Sequence, residues 1–159
     1  MTSNSMNRLT VLFTTALIIF SSCTSDKPGS QPDNYVKGIT TKDQLKQEMD
    51  KSEGKLMVFD LYADWCGPCR ILAPVYNALA NTHKDRVLFY RVNIDKSPEL
   101  ASTFGVQNIP YVVFVKNTKA FYSLVGVNPR EQYEKVINAC DSTVSIEECL
   151  NLIGEKGEI

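Results

Sequence analysis

The chain has 159 residues, 43% of them hydrophobic and 22% charged, a mixture that builds one ordinary domain and buries a core without help from metals. Its 17 Lys and Arg against 18 Asp and Glu leave a net charge of -1. No broad basic surface is available to release counterions, so nucleic acid is set aside as a partner.

Residues 1–22 read as a signal peptide. Arg8 precedes an uncharged apolar run from Leu9 to Phe20, followed by the small residues Ser21 and Ser22. The run is shorter than the roughly 20 residues that span a bilayer. Met1 and Met6 both serve as a start for such a leader. Phe20-Ser21-Ser22-Cys23 resembles a bacterial lipoprotein signal, in which the Cys is acylated and becomes the first mature residue, although Phe20 stands where Leu is usual. The other reading is a plain secretory signal ending beside a cysteine. Either way the chain is expected to be exported, with a periplasmic location, and lipidation at Cys23 would anchor it to a membrane. Residues 23–36 are expected to be a tether: from Thr24 to about Asn34 the Ser, Asp, Lys, Pro, Gly and Gln carry no apolar periodicity.

A folded domain is expected over 37–140, with a C-terminal extension over 141–159. Thr41 followed by Gln44 fits a capping box for a helix to about Lys51, with Leu45 and Met49 on one face. Lys55 to Tyr62 is almost wholly apolar, the mark of a strand covered on both sides. A helix from Gly67 to Thr82 and a strand from Val87 to Ile94 complete a right-handed βαβ unit. Ser97 and Pro98 predict a helix start, and Gly105 its stop. Tyr111–Val115 and Ala120–Val125, joined by Lys116 to Lys119, predict an antiparallel hairpin. Asn128-Pro129 opens an amphipathic helix through Tyr133, Val136 and Ile137. A last short helix begins at Ser145, with Glu148 three residues on, and stops before Gly154. The alternation predicts an α/β fold.

Trp65-Cys66-Gly67-Pro68-Cys69 carries the chemistry. Two thiols three apart at a helix start share one turn and can close a small disulfide ring. The unpaired N–H groups of that turn favour a thiolate, so Cys66 is the expected nucleophile, more exposed and more acidic than Cys69. Cys69 would then resolve the mixed disulfide. Half of a zinc site is the alternative, but the further ligands would have to come from His83, Cys140 and Cys149, with no second C-x-x-C.

Phe59 to Arg70, FDLYADWCGPCR, resembles the active-site strand and helix of the thioredoxin family, and the likeness runs from about residue 40 to 140. Pro74 matches the proline within that family's active-site helix. Ile109-Pro110 matches the cis-proline loop that presents backbone to an extended substrate, and Gly126 matches the glycine that admits a substrate backbone. The resemblance implies a thioredoxin fold, a central mixed sheet flanked by helices, here with a short helical extension at the C-terminus. It implies no cofactor. Trp65, Gly67, Pro68, Ile109, Pro110 and Gly126 would contact substrate, with Trp65 shielding the thiols.

Asp60 is expected to be catalytic. A carboxylate in an apolar strand costs several kcal/mol unless neutral or paired, and six residues before Cys66 it is placed to accept a proton from Cys69. The family's nearby Lys is replaced by Arg91, a fixed charge rather than a proton carrier. Tyr62 stands where Trp is usual, Tyr111 where Thr is usual, and Asn117-Thr118 replaces an Asn-Gly turn. His83 is expected at a helix end or on the surface, without a catalytic role.

The activity implied is thiol–disulfide exchange, directed at reducing the disulfides of exported proteins, with a membrane-borne thiol donor supplying electrons. An oxidase or isomerase, or a non-catalytic binding module on the same scaffold, are the alternatives. Loss of a cysteine from the motif would mark the binding module, and both cysteines are there. Of the five cysteines, lipidation accounts for Cys23 and the redox pair for two more. Cys140 and Cys149 remain, expected to form a structural disulfide, with a pair of buried free thiols as the alternative.

Overall fold

The computed structural model describes residues 35–140 and 143–154. The leader, Cys23 and the tether up to residue 34 lie outside the described residues. The apolar run after Lys55 forms strand β2 (Leu56–Tyr62), and every one of its residues up to Leu61 is buried. It is the central strand of a five-stranded sheet of order β1-β3-β2-β4-β5. The neighbours are β3 (Val87–Asn93), parallel to it, and β4 (Tyr111–Lys116), antiparallel. Strand β5 (Lys119–Val125) completes the hairpin with β4. Its two-residue turn, Asn117-Thr118, takes positive φ at both positions, 50° and 63°. Strand β1 (Val36–Gly38) adds to the far edge beside β3. Its three residues are too few for a periodic signal, and Val36, assigned to the tether by composition, is buried in it.

Because side chains alternate along β2, each face gathers its own core. Leu56 and Val58 pack with Leu72, Tyr76 and Leu79 of helix α2 (Gly67–His83) and with Tyr133, Val136 and Ile137 of helix α4 (Arg130–Ala139). Met57, Phe59 and Leu61 face Leu45 of helix α1 (Lys42–Asp50) and Leu100 of helix α3 (Pro98–Thr103). The molecule therefore has the thioredoxin fold, a mixed sheet with helices on both sides.

The caps show how far local sequence reaches. Thr41 caps α1, accepting from the Gln44 N–H at 3.2 Å, but the Gln44 side chain reaches back to the N–H of Thr40 rather than of Thr41. Ser97 precedes α3 as expected yet makes no side-chain cap; its hydroxyl donates to the Thr40 carbonyl, 57 residues away, tying the α3 start to the loop before α1. His83 is in the last turn of α2 but is not a surface residue, being only 9% exposed. Arg86 can only donate, so Nδ1 of His83 accepts its hydrogen bond, and burial lowers the affinity of the ring for a proton.

Helix α5 (Ile146–Ile153) starts at a Ser145 cap that accepts from the Glu148 N–H and ends at Gly154, in the left-handed region at φ 78°. It buries Cys149 and Ile153 against the α2–α4 core, and the buried Lys116 ammonium donates to the Val144 carbonyl just before it. Cys140 and Cys149 are both fully buried with Cα atoms 5.1 Å apart, within disulfide reach. Replacing both by Ala is expected to lower stability by about 2.5 kcal/mol, the chain-entropy value for a loop of roughly ten residues. Urea unfolding of oxidised and reduced protein measures it. A difference that persists after reduction would mean that packing, not a crosslink, is responsible.

Candidate active site

Strand β2 ends at Tyr62, and the loop Ala63-Asp64-Trp65 delivers the chain to α2 with Cys66 as its N-cap. The residue is in extended conformation there, and its sulfur takes the place of a capping oxygen, accepting from the Cys69 N–H at 3.2 Å. A cap sulfur receives an N–H that the helix leaves unpaired and sits at its positive end. The first turn of α2 holds no acidic side chain to oppose this. Gly67-Pro68 supplies a proline at the helix start, where the missing N–H is not needed. Cys66 and Cys69 form a disulfide with an S–S distance of 2.08 Å and Cα atoms 5.3 Å apart.

In this disulfide form both cysteines are buried, Cys66 at 3% and Cys69 at 2% exposure, and the expected difference between them belongs to the reduced thiols, where alkylation rates measure it. Both cysteines cluster with the buried Ala63, and Tyr62, Ile94 and Ile109 pack against that cluster. Exposure is provided instead by Trp65, 68% exposed, whose indole N–H donates to Asp95 at 2.8 Å. Asp95 is oriented in turn at the end of β3, where the Asn93 side chain accepts its backbone N–H. Nothing local in the sequence connects Trp65 to Asp95.

The Ile109–Pro110 peptide is cis, and Ile109 packs against the disulfide. The Pro110 carbonyl accepts the Gly126 N–H at 2.8 Å, joining the loops at the ends of β4 and β5. Gly126 has φ 78°, and a Cβ placed there would meet nothing within 4 Å. The glycine is thus required by the backbone turn and leaves open space above it. Val125 and Val127 on either side are exposed. Tyr111 is half-buried and follows Pro110 into β4.

Asp60 lies on β2 on the same side as α2 and is completely buried. Arg91 is its direct neighbour in the β2–β3 register and donates Nε–H to Oδ2 at 2.9 Å. Oδ1 has no hydrogen-bond partner among the described residues. Burial pushes the carboxyl up to about 6, against the opposing pull of Arg91. Arg91 and Cys69 line one cavity of about 240 Å³ together with Tyr62 and Arg70, which gives solvent a way to the inner cysteine. His83 is at the other end of the 17-residue α2, roughly 20 to 25 Å from the cysteines at about 1.5 Å per residue.

Comparison with known proteins agrees with this geometry. A family model described as Thioredoxin matches residues 36–139. Thioredoxin-T of Drosophila melanogaster is 40% identical over 90 residues, 57% of this chain and 57% of its own length. Thioredoxin H4 of Arabidopsis thaliana is 35% identical over 107 residues, 66% of this chain and 90% of its own length. Among solved structures, thioredoxin NaTrxh from Nicotiana alata superposes with a TM-score of 0.64 at 30% identity, over 71% of this chain and 97% of the other. With its family match, its fold and a Cys66–Cys69 pair at disulfide distance, the chain belongs to the thioredoxin family of thiol–disulfide oxidoreductases.

Proposed function

We propose that this protein reduces disulfide bonds in exported proteins, with Cys66 as nucleophile and Cys69 as resolving thiol. The observation that carries the reading is the sulfur N-cap, because the N–H that reaches Cys66 Sγ belongs to the residue that resolves it. The Cys66 thiolate attacks a substrate disulfide, forming a mixed disulfide and releasing one substrate thiolate, which takes a proton from water. Cys69 then loses its proton, with Asp60, the hydrogen-bond partner of the Arg91 that lines the Cys69 cavity, as the acceptor, and attacks Cys66 Sγ. The second substrate thiol leaves, two electrons have passed to the substrate, and Cys66–Cys69 is a disulfide again. A membrane-borne dithiol donor would return the two electrons.

The absence of a cation between the cysteines supports this direction, because strong oxidants stabilise their thiolate with one and here that pair is Gly67-Pro68. Equilibration against a glutathione buffer should give a potential near about −270 mV, typical of thioredoxins; a value near about −120 mV, that of strong oxidants, would reverse the direction. The leader and Cys23 support export and a lipid anchor. Mass spectrometry of non-reduced peptides from envelope-derived protein reads both cysteine assignments at once. An acylated Cys23 as first residue and a Cys140–Cys149 crosslink are expected, and an unmodified Cys23 or full alkylation of Cys140 and Cys149 would remove the respective assignment.

A further inference from the structure

Arg91 is the charge that opposes burial at Asp60, so where its guanidinium is held matters. Its side chain is 24% exposed while that of Asp60 is wholly covered, and it borders the cavity. Water competes for an arginine in that position, and a long side chain is free to turn toward it. What closes its other side is Tyr62. The Arg91 Cζ lies 4.0 Å from the Tyr62 ring centroid while Nε reaches Asp60 at 2.9 Å. Asp60 and Tyr62 are two residues apart in β2, so their side chains leave on one face, and Arg91 enters from the paired position on β3. The carboxylate thus holds the edge of the guanidinium and the ring covers its face, and Tyr62 also packs on the Cys66–Cys69 cluster.

The geometry points to Tyr62 as a positioning residue: its ring clamps the Arg91 guanidinium, which lines the cavity beside Cys69, in the orientation that presents Nε to Asp60, fixing the charge balance of that carboxylate. A planar guanidinium on an aromatic face is favoured by both stacking and cation–π attraction. The other groups facing Asp60 do not take over this task. Tyr76 of α2 and Tyr133 of α4 are both held neutral by burial, and β4 presents Val112 at the paired position. The proposal deepens the reading of Asp60 as proton acceptor and rests on it for its kinetic meaning only.

The test is a carboxyl NMR titration of Asp60 in the oxidised full chain. Tyr62→Phe keeps the ring and should leave the midpoint in place. Tyr62→Leu keeps apolar bulk without a π face and should raise it by about half a pH unit, the equivalent of an exposed cation–π contact. Arg91→Gln should raise it further. An unmoved midpoint in Tyr62→Leu beside a raised one in Arg91→Gln would overturn the proposal, as would a shift in Tyr62→Phe equal to that in Tyr62→Leu. Disulfide-exchange rates of Asp60→Asn separate the two ideas, because a raised midpoint in Tyr62→Leu with no rate loss in Asp60→Asn removes the proton acceptor and leaves the clamp.

Discussion

Replacing Cys66 by Ser is expected to reduce disulfide-exchange turnover by a factor on the order of a thousand or more, to the background of uncatalysed thiols. The residue is the N-cap sulfur of α2, and a hydroxyl there would still accept the Cys69 N–H, so folding should be little changed. A serine hydroxyl lacks the low pKa and soft nucleophilicity of a thiol group. Cys69→Ser should behave differently. It keeps the nucleophile and loses the resolving step, so substrates accumulate as mixed disulfides on Cys66. Insulin reduction measures turnover, and non-reducing gels with peptide mapping measure trapping. Trapping on Cys69 in the Cys66→Ser protein, with none on Cys66 in the reverse variant, would invert the assignment.

Asp60→Asn should stabilise the protein while slowing it. The carboxyl titrates near about 6 in the fold against a reference of 3.8, with burial the leading cause. The native state therefore holds the proton more tightly than the unfolded chain. Stability is greatest below the unfolded value, declines as pH rises from about 4 to about 6, and carries the full penalty above that window. At about 1.4 kcal/mol per tenfold change in proton affinity, the penalty is up to about 3 kcal/mol at neutral pH. An amide removes it. Arg91 does not become a stranded charge in the variant, because it keeps access to water and its stack on Tyr62. Thermal melts of the two proteins should coincide near pH 4, separate as pH rises to about 6 and keep a constant gap above that, with the variant higher. The exchange rate should fall by about a hundredfold, the lower end of what a positioned proton acceptor contributes. Equal rates across neutral pH would leave Asp60 without a role in proton transfer, and coincident melts at pH 8 would mean that the buried carboxylate is better compensated than its single Arg91 contact implies.

Several features are written locally. The C-x-x-C spacing equals one helical turn, so Cys66 and Cys69 meet wherever a helix begins at Gly67, and Gly67-Pro68 and the preceding loop make it begin there. The apolar run of β2, the Thr41 and Ser145 caps and the Gly154 stop depend on residues within a few positions of one another, at most the seven of β2, and the structure has each of them in place. What the tertiary structure alone decided are contacts between residues far apart in the chain. Trp65 finds Asp95, Ser97 turns away from its own helix to Thr40, and His83 is covered by the packing of α2 on α4. Strand β1 exists because β3 offers it an edge, not because three residues prefer to be extended. The resemblance to thioredoxins brought Arg91 near Asp60, but Tyr62 on the face of the guanidinium needed the β2–β3 register. Local propensities act over a turn or a strand, whereas register is set when two buried faces must match at once, and no period in a single sequence records which residue of one strand will lie opposite which residue of the next.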